Sequence, residues 1–352
     1  MQLSDHQRQA LYQIVTGFKE RELTEQTLGG YAGTGKTTLI SYLTKFFPDF
    51  GVCAYTGKAA NVLRTKGMHG ASTIHSRIYE PEFDKGIVYF NLKLNPNCDG
   101  FIVDEASMVG SEIYWDLKSY GLPMIFVGDH GQLEPVDSDF NLMSDPMYKL
   151  EEIHRNAGTI ARYAEHLRFG YAARGFRDQS DKVAFLNNKQ VTDDMLMSVD
   201  QVICAFNATR VETNYRIRSA LGYNGVLNVG ERVMCLRNNR ELQLFNGMQG
   251  TVLSLHKGKR GRQLMDFDFC GEVYKDVPLD MKQFGQDKYN IKHGKGTNNP
   301  FDYAYCITCH KAQGDEWGNV LVIEQKCRNW DHRRWAYTAA SRAKNKLWWK
   351  LA

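Results

Sequence analysis

The sequence predicts an α/β protein built on doubly wound parallel sheets, and three observations carry that expectation. Residues 30–37 read GYAGTGKT, fitting G-x-x-x-x-G-K-[ST], between 26–29, which reads as the end of a strand, and 38–46, which reads as a helix. The apolar run at 101–103 ends in Asp104 and Glu105, and a second run at 124–127 ends in Gly128 and Asp129. Such acid-tipped runs read as strands buried on both faces whose carboxyl ends enter a site. Strand patterns at 52–55, 101–103, 124–127, 201–205 and 320–323 alternate with helical ones such as 207–218. That alternation implies parallel sheets covered by helices.

The glycine-rich stretch carries the most specific chemistry. Glycines let backbone N–H groups converge at a helix N-terminus, where the dipole also favours negative charge, and a triphosphate needs such donors. Lys36 is expected to contact the β- and γ-phosphates, and Thr37 to place its hydroxyl on Mg²⁺. Hydrolysis also needs a carboxylate to hold the metal and a group to orient the attacking water. Asp104, acting through water, suits the first role and Glu105 the second.

Two stretches break the alternation. Between 76 and 97 a polar turn, Asp84-Lys85-Gly86, precedes 87–95, where Val88, Phe90, Leu92 and Leu94 alternate with Tyr89, Asn91 and Lys93. That period of two reads as a hairpin strand. The stretch 222–296 has β patterns at 231–237, 249–255, 263–269 and 272–277, punctuated by Asn246-Gly247 and a basic turn at 257–262.

Composition excludes several classes. With 43% hydrophobic and 24% charged residues, the chain is neither collagen-like, nor a coiled coil, nor disordered. Its 44 Lys and Arg against 40 Asp and Glu leave a net charge of +4, too small to identify a polyanionic partner, so any such site must be local. The apolar stretches at 124–127 and 320–323 fall far short of the ~20 residues that cross a bilayer. Residues 1–9 are polar and lack the apolar centre of a secretory signal, so the expected location is cytoplasmic, with reduced thiols. Cys306-Ile307-Thr308-Cys309-His310 matches C-x-x-C-H, the pattern of covalent haem attachment. No second cysteine pair at zinc-ribbon spacing and no export signal supports that match.

Further short motifs follow in order: LSDHQ at 3–7, AYTGKAA at 54–60, STIH at 72–75, DEAS at 104–107 and GDHGQLEPV at 128–136. In the second half come IHRN at 153–156, YCITCHKAQG at 305–314 and YTAASRAK at 337–344. Together with the glycine-rich loop these resemble the motifs of superfamily 1 helicases, in the RecD-like and phage Dda-like branch, nearly end to end. The resemblance implies that Gln7 recognises adenine, that Gln132 senses the γ-phosphate, that Arg155 contacts phosphate and that Arg342 is an arginine finger. It places ATP against Gly30, Gly33, Gly35, Lys36, Thr37, Thr38, Gly314 and Glu316, and single-stranded DNA against Thr56, Lys58, Thr73, His75, Thr308 and His310. Cys306 and Cys309 then stand where ordinary strand residues would. Glu134 replaces a frequent proline and Ser341 a usual threonine.

The expected organisation is a first RecA-like domain at 1–150 and a second formed by 151–221 with 297–352. Residues 76–97 resemble a strand-separating pin, in which Phe83, Tyr89 and Phe90 either stack on the fork base pair or pack on the parent domain. Residues 222–296 resemble an SH3-like barrel whose basic turn either touches DNA phosphates or is a solvated tip. The implied activity is that of a DNA helicase using ATP and Mg²⁺, moving 5′ to 3′ on single-stranded and forked DNA. Replication or recombination proteins are the implied partners, a membrane is not, and the paired domains permit a working monomer. Motifs leave open an ATPase that remodels RNA or protein–nucleic acid complexes without processive unwinding, because the 2′-hydroxyl distinction depends on groove geometry. An accessory protein with a vestigial ATPase would lack a key residue, and Lys36, Thr37, Asp104, Glu105, Gln132, Arg155 and Arg342 are all present.

Overall fold

A computed structural model describes residues 3–352 except 21, 85–86, 135–139, 153–157, 178–179, 238, 240–241, 243, 245, 270, 289–297, 327 and 329. At Lys58 and over 81–90 the backbone alone is described. The amino-terminal half runs α1 (Asp5–Glu20), β1 (Glu25–Gly30), α2 (Lys36–Phe46), β2 (Phe50–Ala54), α3 (Gly57–Thr65), β3 (Ser72–Thr73) and α4 (Ile74–Ile78). It continues through β4 (Tyr79–Asp84), β5 (Ile87–Leu92), β6 (Gly100–Asp104), α5 (Ser111–Lys118), β7 (Met124–Gly128) and β8 (Tyr148–Leu150). Six of these strands form a parallel sheet in the order β3-β2-β6-β7-β1-β8. Successive side chains on a strand point to opposite faces. Ile102, Ile125 and Val127 therefore join one core with Leu28, Leu39 and Leu43, while Phe101, Val103, Met124 and Phe126 join another with Tyr114 and Leu117. Burial on both faces is why these strands read as continuous apolar runs.

The second half holds α6 (Gly158–Arg168), β9 (Val183–Leu186), α7 (Asp193–Ser198), β10 (Gln201–Cys204), α8 (Asn207–Ala220), β11 (Arg232–Cys235), β12 (Gln249–Lys257), β13 (Gln263–Phe269) and β14 (Glu272–Asp280). It ends with β15 (Asn299–Tyr303), β16 (Cys306–Thr308), β17 (Trp317–Ile323), α9 (His332–Ala340) and β18 (Ala343–Lys350). A second parallel sheet has the order β16-β10-β17-β18-β9. Its core gathers Tyr163, Trp335 and Trp349. Both sheets with their helices are RecA-like α/β units. Among the described residues no helix is long and apolar enough to cross a membrane.

Strands β11 to β15 close a five-stranded barrel. Its last strand lies beyond residue 296, where the sequence placed the end of the insertion. β15 pairs antiparallel with β11 and parallel with β14, and alternation there is masked because Asn299 to Tyr303 are all buried. The barrel also shares a core with the second sheet, where Val202, Cys204 and Leu321 meet Val233, Met265, Phe267 and Phe301. Strands β4 and β5 form a two-stranded hairpin in register from Tyr79↔Leu92 to Asp84↔Ile87. The strand expected to reach residue 95 stops at Leu92, where Lys93 N turns to donate to the Ile78 carbonyl (2.8 Å). The Tyr120 hydroxyl bridges the Ile78 and Lys93 carbonyls (2.9 and 2.8 Å), tying the hairpin base to the first sheet's unit.

Two buried ion pairs fasten α8 to the barrel: Arg210 with Asp302, and Arg218 with Glu231 in a forked contact at 2.6 and 2.8 Å. Removing one partner strands a buried charge, which is far more costly than exchanging the whole pair. Arg218→Ala is accordingly expected to lower unfolding free energy by about 3–5 kcal/mol, measured by urea titration with tryptophan fluorescence. A loss below about 1 kcal/mol, the range of exposed pairs, would contradict the assignment.

Candidate functional site

β1 delivers the chain to Gly30, and α2 begins at Lys36, two residues before the helix expected from the sequence, because Gly35 caps it directly in the left-handed region (φ 82°). Gly33 shares that conformation (φ 81°). A Cβ on Gly30 would lie 2.7 Å from Thr34 Oγ1 and 3.0 Å from Lys36 Cγ, so close approach requires glycine there. The loop is braced internally. Thr34 Oγ1 donates to the Tyr31 carbonyl (2.8 Å), and Gln7 Nε2 donates to the Thr34 carbonyl (2.9 Å). Gln7 Oε1 accepts from Ser4 N (3.0 Å), so this amide is directed at backbone on both sides. Lys36 Nζ donates to the Gly30 and Tyr31 carbonyls (2.7 and 3.2 Å) and lies 3.8 Å from Asp129 Oδ2. Thr37 and Thr38 occupy the partly buried first turn of α2.

β6 sits two strands from β1, and its tip carries the two acids. Asp104 is buried and accepts from Glu105 N (2.9 Å). Glu105 takes the left-handed conformation (φ 55°), which costs a residue with a Cβ about 1–3 kcal/mol and turns its side chain into the cleft. Its Oε2 is buried with no hydrogen-bond partner among the described residues. Burial and the neighbouring Asp104 charge push the Glu105 carboxyl up to about 7, against the opposing pull of Arg342 and Lys36. Asp129, at the tip of β7, accepts from Gly131 N (2.9 Å), Gln132 Nε2 (3.2 Å) and the Tyr337 hydroxyl (2.6 Å). Gln132 Oε1 is likewise buried without a partner among the described residues.

The second sheet's unit closes on these loops through α9. Thr338 Oγ1 accepts from Leu133 N (3.0 Å), and Arg334 Nη1 donates to the Gln132 carbonyl (3.2 Å). Gln313 Nε2 donates to the Leu133 carbonyl (2.9 Å). Arg342 follows α9 and is buried, with donors on the Thr338 and Asp315 carbonyls (3.0 and 3.1 Å) and on Ser341 Oγ (2.8 Å). Its charge lowers the proton affinity of Glu105 across the cleft. Gly314, left-handed at φ 78°, lies so close to the first unit that a Cβ would come within 3.2 Å of Thr56 Cγ2. Glu316 pairs with Lys344 (3.0 Å) at an exposed position. Arg155 lies outside the described residues.

The residues expected on the single strand stand at strand ends or in the turns and helices that follow them. Thr56 caps α3 by accepting from Ala59 N (3.1 Å), and Thr73 caps α4 by accepting from Ser76 N (3.1 Å). His75 meets Tyr55 and Tyr79, with ring centroids 6.4 and 5.6 Å away. Thr308 ends β16, and His310 packs edge-on against Trp330 at 5.7 Å, where burial holds its imidazole below the ordinary value. Lys58 lies in the first turn of α3. Cys306 and Cys309 are fully buried, their thiols pushed up by burial, and Cys309 Sγ faces the Trp335 carbonyl (3.6 Å). Both fill core, so C-x-x-C-H presents no sulfur at a surface.

Residues 2–188, more than half of the chain, match the family described as an AAA domain. The chain belongs to that family. Residues 303–349 of this AAA-domain chain match a UvrD-like helicase C-terminal domain. The ATP-dependent RecD2 DNA helicase of Deinococcus radiodurans is 29% identical over 91% of this chain and 46% of its own length. The ATP-dependent DNA helicase dda of Enterobacteria phage T4 is 30% identical over 48% of this chain and 43% of its own length. The chain thus spans less than half the length of these relatives. Among solved structures, Pif1 helicase from Bacteroides in complex with ADP-AlF3 and single-stranded DNA superposes with a TM-score of 0.62 at 21% identity, covering 100% of this chain and 93% of that one. Pif1 helicase from Candida albicans gives a TM-score of 0.56 at 19% identity, covering 100% and 95%. These neighbours share the fold. Family matches and relatives set this AAA-domain chain in the superfamily 1 group of RecD- and Dda-like proteins.

Sequence reading of the AAA-domain chain missed several groups in its cleft. Tyr337 bonds Asp129, and Arg168 lies over the Tyr31 ring at 3.8 Å while donating to its hydroxyl (2.9 Å). Tyr337 belongs to the YTAASRAK motif, but nothing in its spacing reveals a side chain crossing the cleft. Arg168 belongs to no motif at all.

The Glu105 carboxyl supplies a test. Its folded-state value of about 7 stands above the ordinary 4.5, so its neutral form favours the fold. That contribution is complete below pH 4.5 and is lost as pH rises through 7. Glu105→Gln should therefore stabilise the ligand-free protein at pH 8 by about 3 kcal/mol and change little at pH 4.5, measured by urea unfolding at both values. Equal effects at the two pH values would contradict the burial assigned to this acid.

Proposed function

We propose that this chain is an ATP-dependent DNA helicase that moves along single-stranded DNA, 5′ to 3′, and unwinds duplexes at a fork. The observation that carries the proposal is the opposition across one cleft. Lys36, the Asp104–Glu105 pair and the Asp129–Gln132 loop stand on one parallel sheet's unit, and Arg342 stands on the other's, at the end of a docked helix. The donor set fits a metal nucleotide, because Glu105 and Gln132 each bury an oxygen with no partner among the described residues. Thr37 and Asp104 would hold Mg²⁺, which would supply positive charge against the phosphates. Lys36 exchanges its loop carbonyls for phosphate. Glu105 orients the attacking water, Gln132 follows the γ-phosphate, and Arg342 with Arg155 balances charge on the transferred phosphoryl, a role worth ~10³–10⁵ in rate. Gln7, Gly30, Gly33, Gly35, Thr38, Gly314 and Glu316 complete the proposed ATP site.

The proposed units are RecA-like domains at 1–150 and at 151–221 with 297–352. Thr56, Lys58, Thr73, His75, Thr308 and His310 line the proposed track. Hydroxyl, imidazole and amine donors suit phosphate and sugar contacts that ignore base sequence. RecD2 and Dda are named DNA helicases, and the Bacteroides Pif1 was solved on single-stranded DNA, which supports DNA as the track. The β4–β5 hairpin serves as the pin and the barrel as an SH3-like module, its exposed basic turn at 257–262 set toward phosphates. The protein works as a monomer that replication or recombination proteins recruit.

Duplexes bearing a 5′ or a 3′ single-stranded tail, with RNA-tailed controls, test activity, polarity and substrate together. Unwinding of only the 5′-tailed DNA is the expected result, whereas ATP turnover without strand separation would favour remodelling. Lys36→Ala should abolish ATP turnover while filter binding shows DNA affinity retained. Replacing Phe83, Tyr89 and Phe90 with alanine should slow strand separation about tenfold or more, the worth of one lost base stack, with DNA-stimulated hydrolysis preserved. Equal losses of both activities would assign those aromatics to packing.

A further inference from the structure

Five residues before Arg342, the Tyr337 side chain leaves α9 and crosses the cleft, 1% exposed. Its hydroxyl accepts from Ala32 N of the glycine-rich loop (2.6 Å) and donates to Asp129 Oδ2 (2.6 Å). Its ring meets that of Tyr31 edge-on at 6.1 Å. One phenol thus joins the loop backbone, the acid that faces Lys36 and the helix that leads to Arg342. The next residue continues the chain of contacts, since the Thr338 carbonyl accepts from Arg342 Nε (3.0 Å) while Thr338 Oγ1 accepts from Leu133 N (3.0 Å). Ala32 lies ahead of the amides of Gly33, Gly35, Lys36 and Thr37, so its bond to Tyr337 leaves those donors for phosphate, while Thr34 N bonds the Tyr31 carbonyl (3.2 Å).

We infer that Tyr337 is a positioning residue for phosphoryl transfer, holding Arg342 at the γ-phosphate only while the glycine-rich loop and Asp129 are closed against α9. This rests on the ATP-hydrolysing reading above. A phenol suits the task because one buried group both accepts and donates, and phenylalanine keeps its shape while losing both bonds. Burial and the adjacent Asp129 hold its proton well above the ordinary range, so it remains a donor. Its loss would strip the partly buried Ala32 amide of its partner and leave Asp129 Oδ2 with Gln132 Nε2 (3.2 Å) alone as a hydrogen-bond donor among the described residues, weakening the closed arrangement.

The test compares Tyr337→Phe, Arg342→Ala and the double variant in the full chain. Tyr337→Phe should lower kcat for ATP about tenfold with ATP affinity nearly unchanged, the scale of one lost buried hydrogen bond. On the Arg342→Ala background the same change should cost nothing further, since residues acting as a unit are not additive. Losses that multiply in the double variant, wild-type turnover by Tyr337→Phe, or a defect confined to nucleotide affinity would overturn the inference. Hydrogen exchange of the peptide containing Ala32 reads the tie without turnover. Faster exchange in Tyr337→Phe, with the sheet cores unchanged, is expected, and unchanged exchange overturns the tie. Absent turnover by the unaltered protein, or full turnover by Arg342→Ala, would instead strike the hydrolytic reading itself.

Discussion

The loops at the carboxyl edge of the first parallel sheet meet α9 and the segment leading into β17 of the second sheet's unit, and the rest of the molecule depends on that meeting being held largely by hydrogen bonds. Across it run Tyr337 to Asp129 and Ala32, Thr338 to Leu133, Arg334 to Gln132 and Gln313 to Leu133. Apolar contact is slight by comparison, with Tyr31 and Leu133 the buried first-unit residues that join the second unit's core. Interfaces of this polar kind exchange their bonds for water at modest net cost, whereas a shared hydrophobic core does not. The ATP-driven motor proposed above, which would open each cycle, needs such a seam.

The same edge concentrates cost. Glu105 sits in a backbone conformation unfavourable to it and buries an oxygen without a partner among the described residues. Asp104 beside it is buried as well. Apolar packing behind the edge tolerates this, because Phe101, Val103, Phe126 and Leu117 are fully buried just beneath. Strain and unpaired polar groups placed over a rigid core are the usual mark of a site shaped for a ligand.

Legibility in the sequence followed the range of the interaction. The glycine-rich loop and the acid-tipped strands could be read because each is a local pattern whose chemistry is written in adjacent residues. Strand β15 could not, since its residues are buried on all sides and its partners, β11 and β14, come from distant stretches. The start of α2 falls ahead of its sequence signal because a glycine in the left-handed region can cap a helix without any side-chain signal. Tyr337 shows the same limit at a single residue. Its motif was recognisable, but its bonds reach across about two hundred and three hundred residues of chain to Asp129 and Ala32.

The barrel is tempting to treat as a detachable module. Its fifth strand, however, comes after the segment that looks like an insert, and its interior is continuous with one face of the second sheet. A protein engineer who trimmed residues 222–296 would leave β15 as an orphan edge and bare the greasy side of Val202 and Leu321 to solvent. Such a truncation is therefore a recipe for aggregates, and the two pieces are better regarded as a single casting.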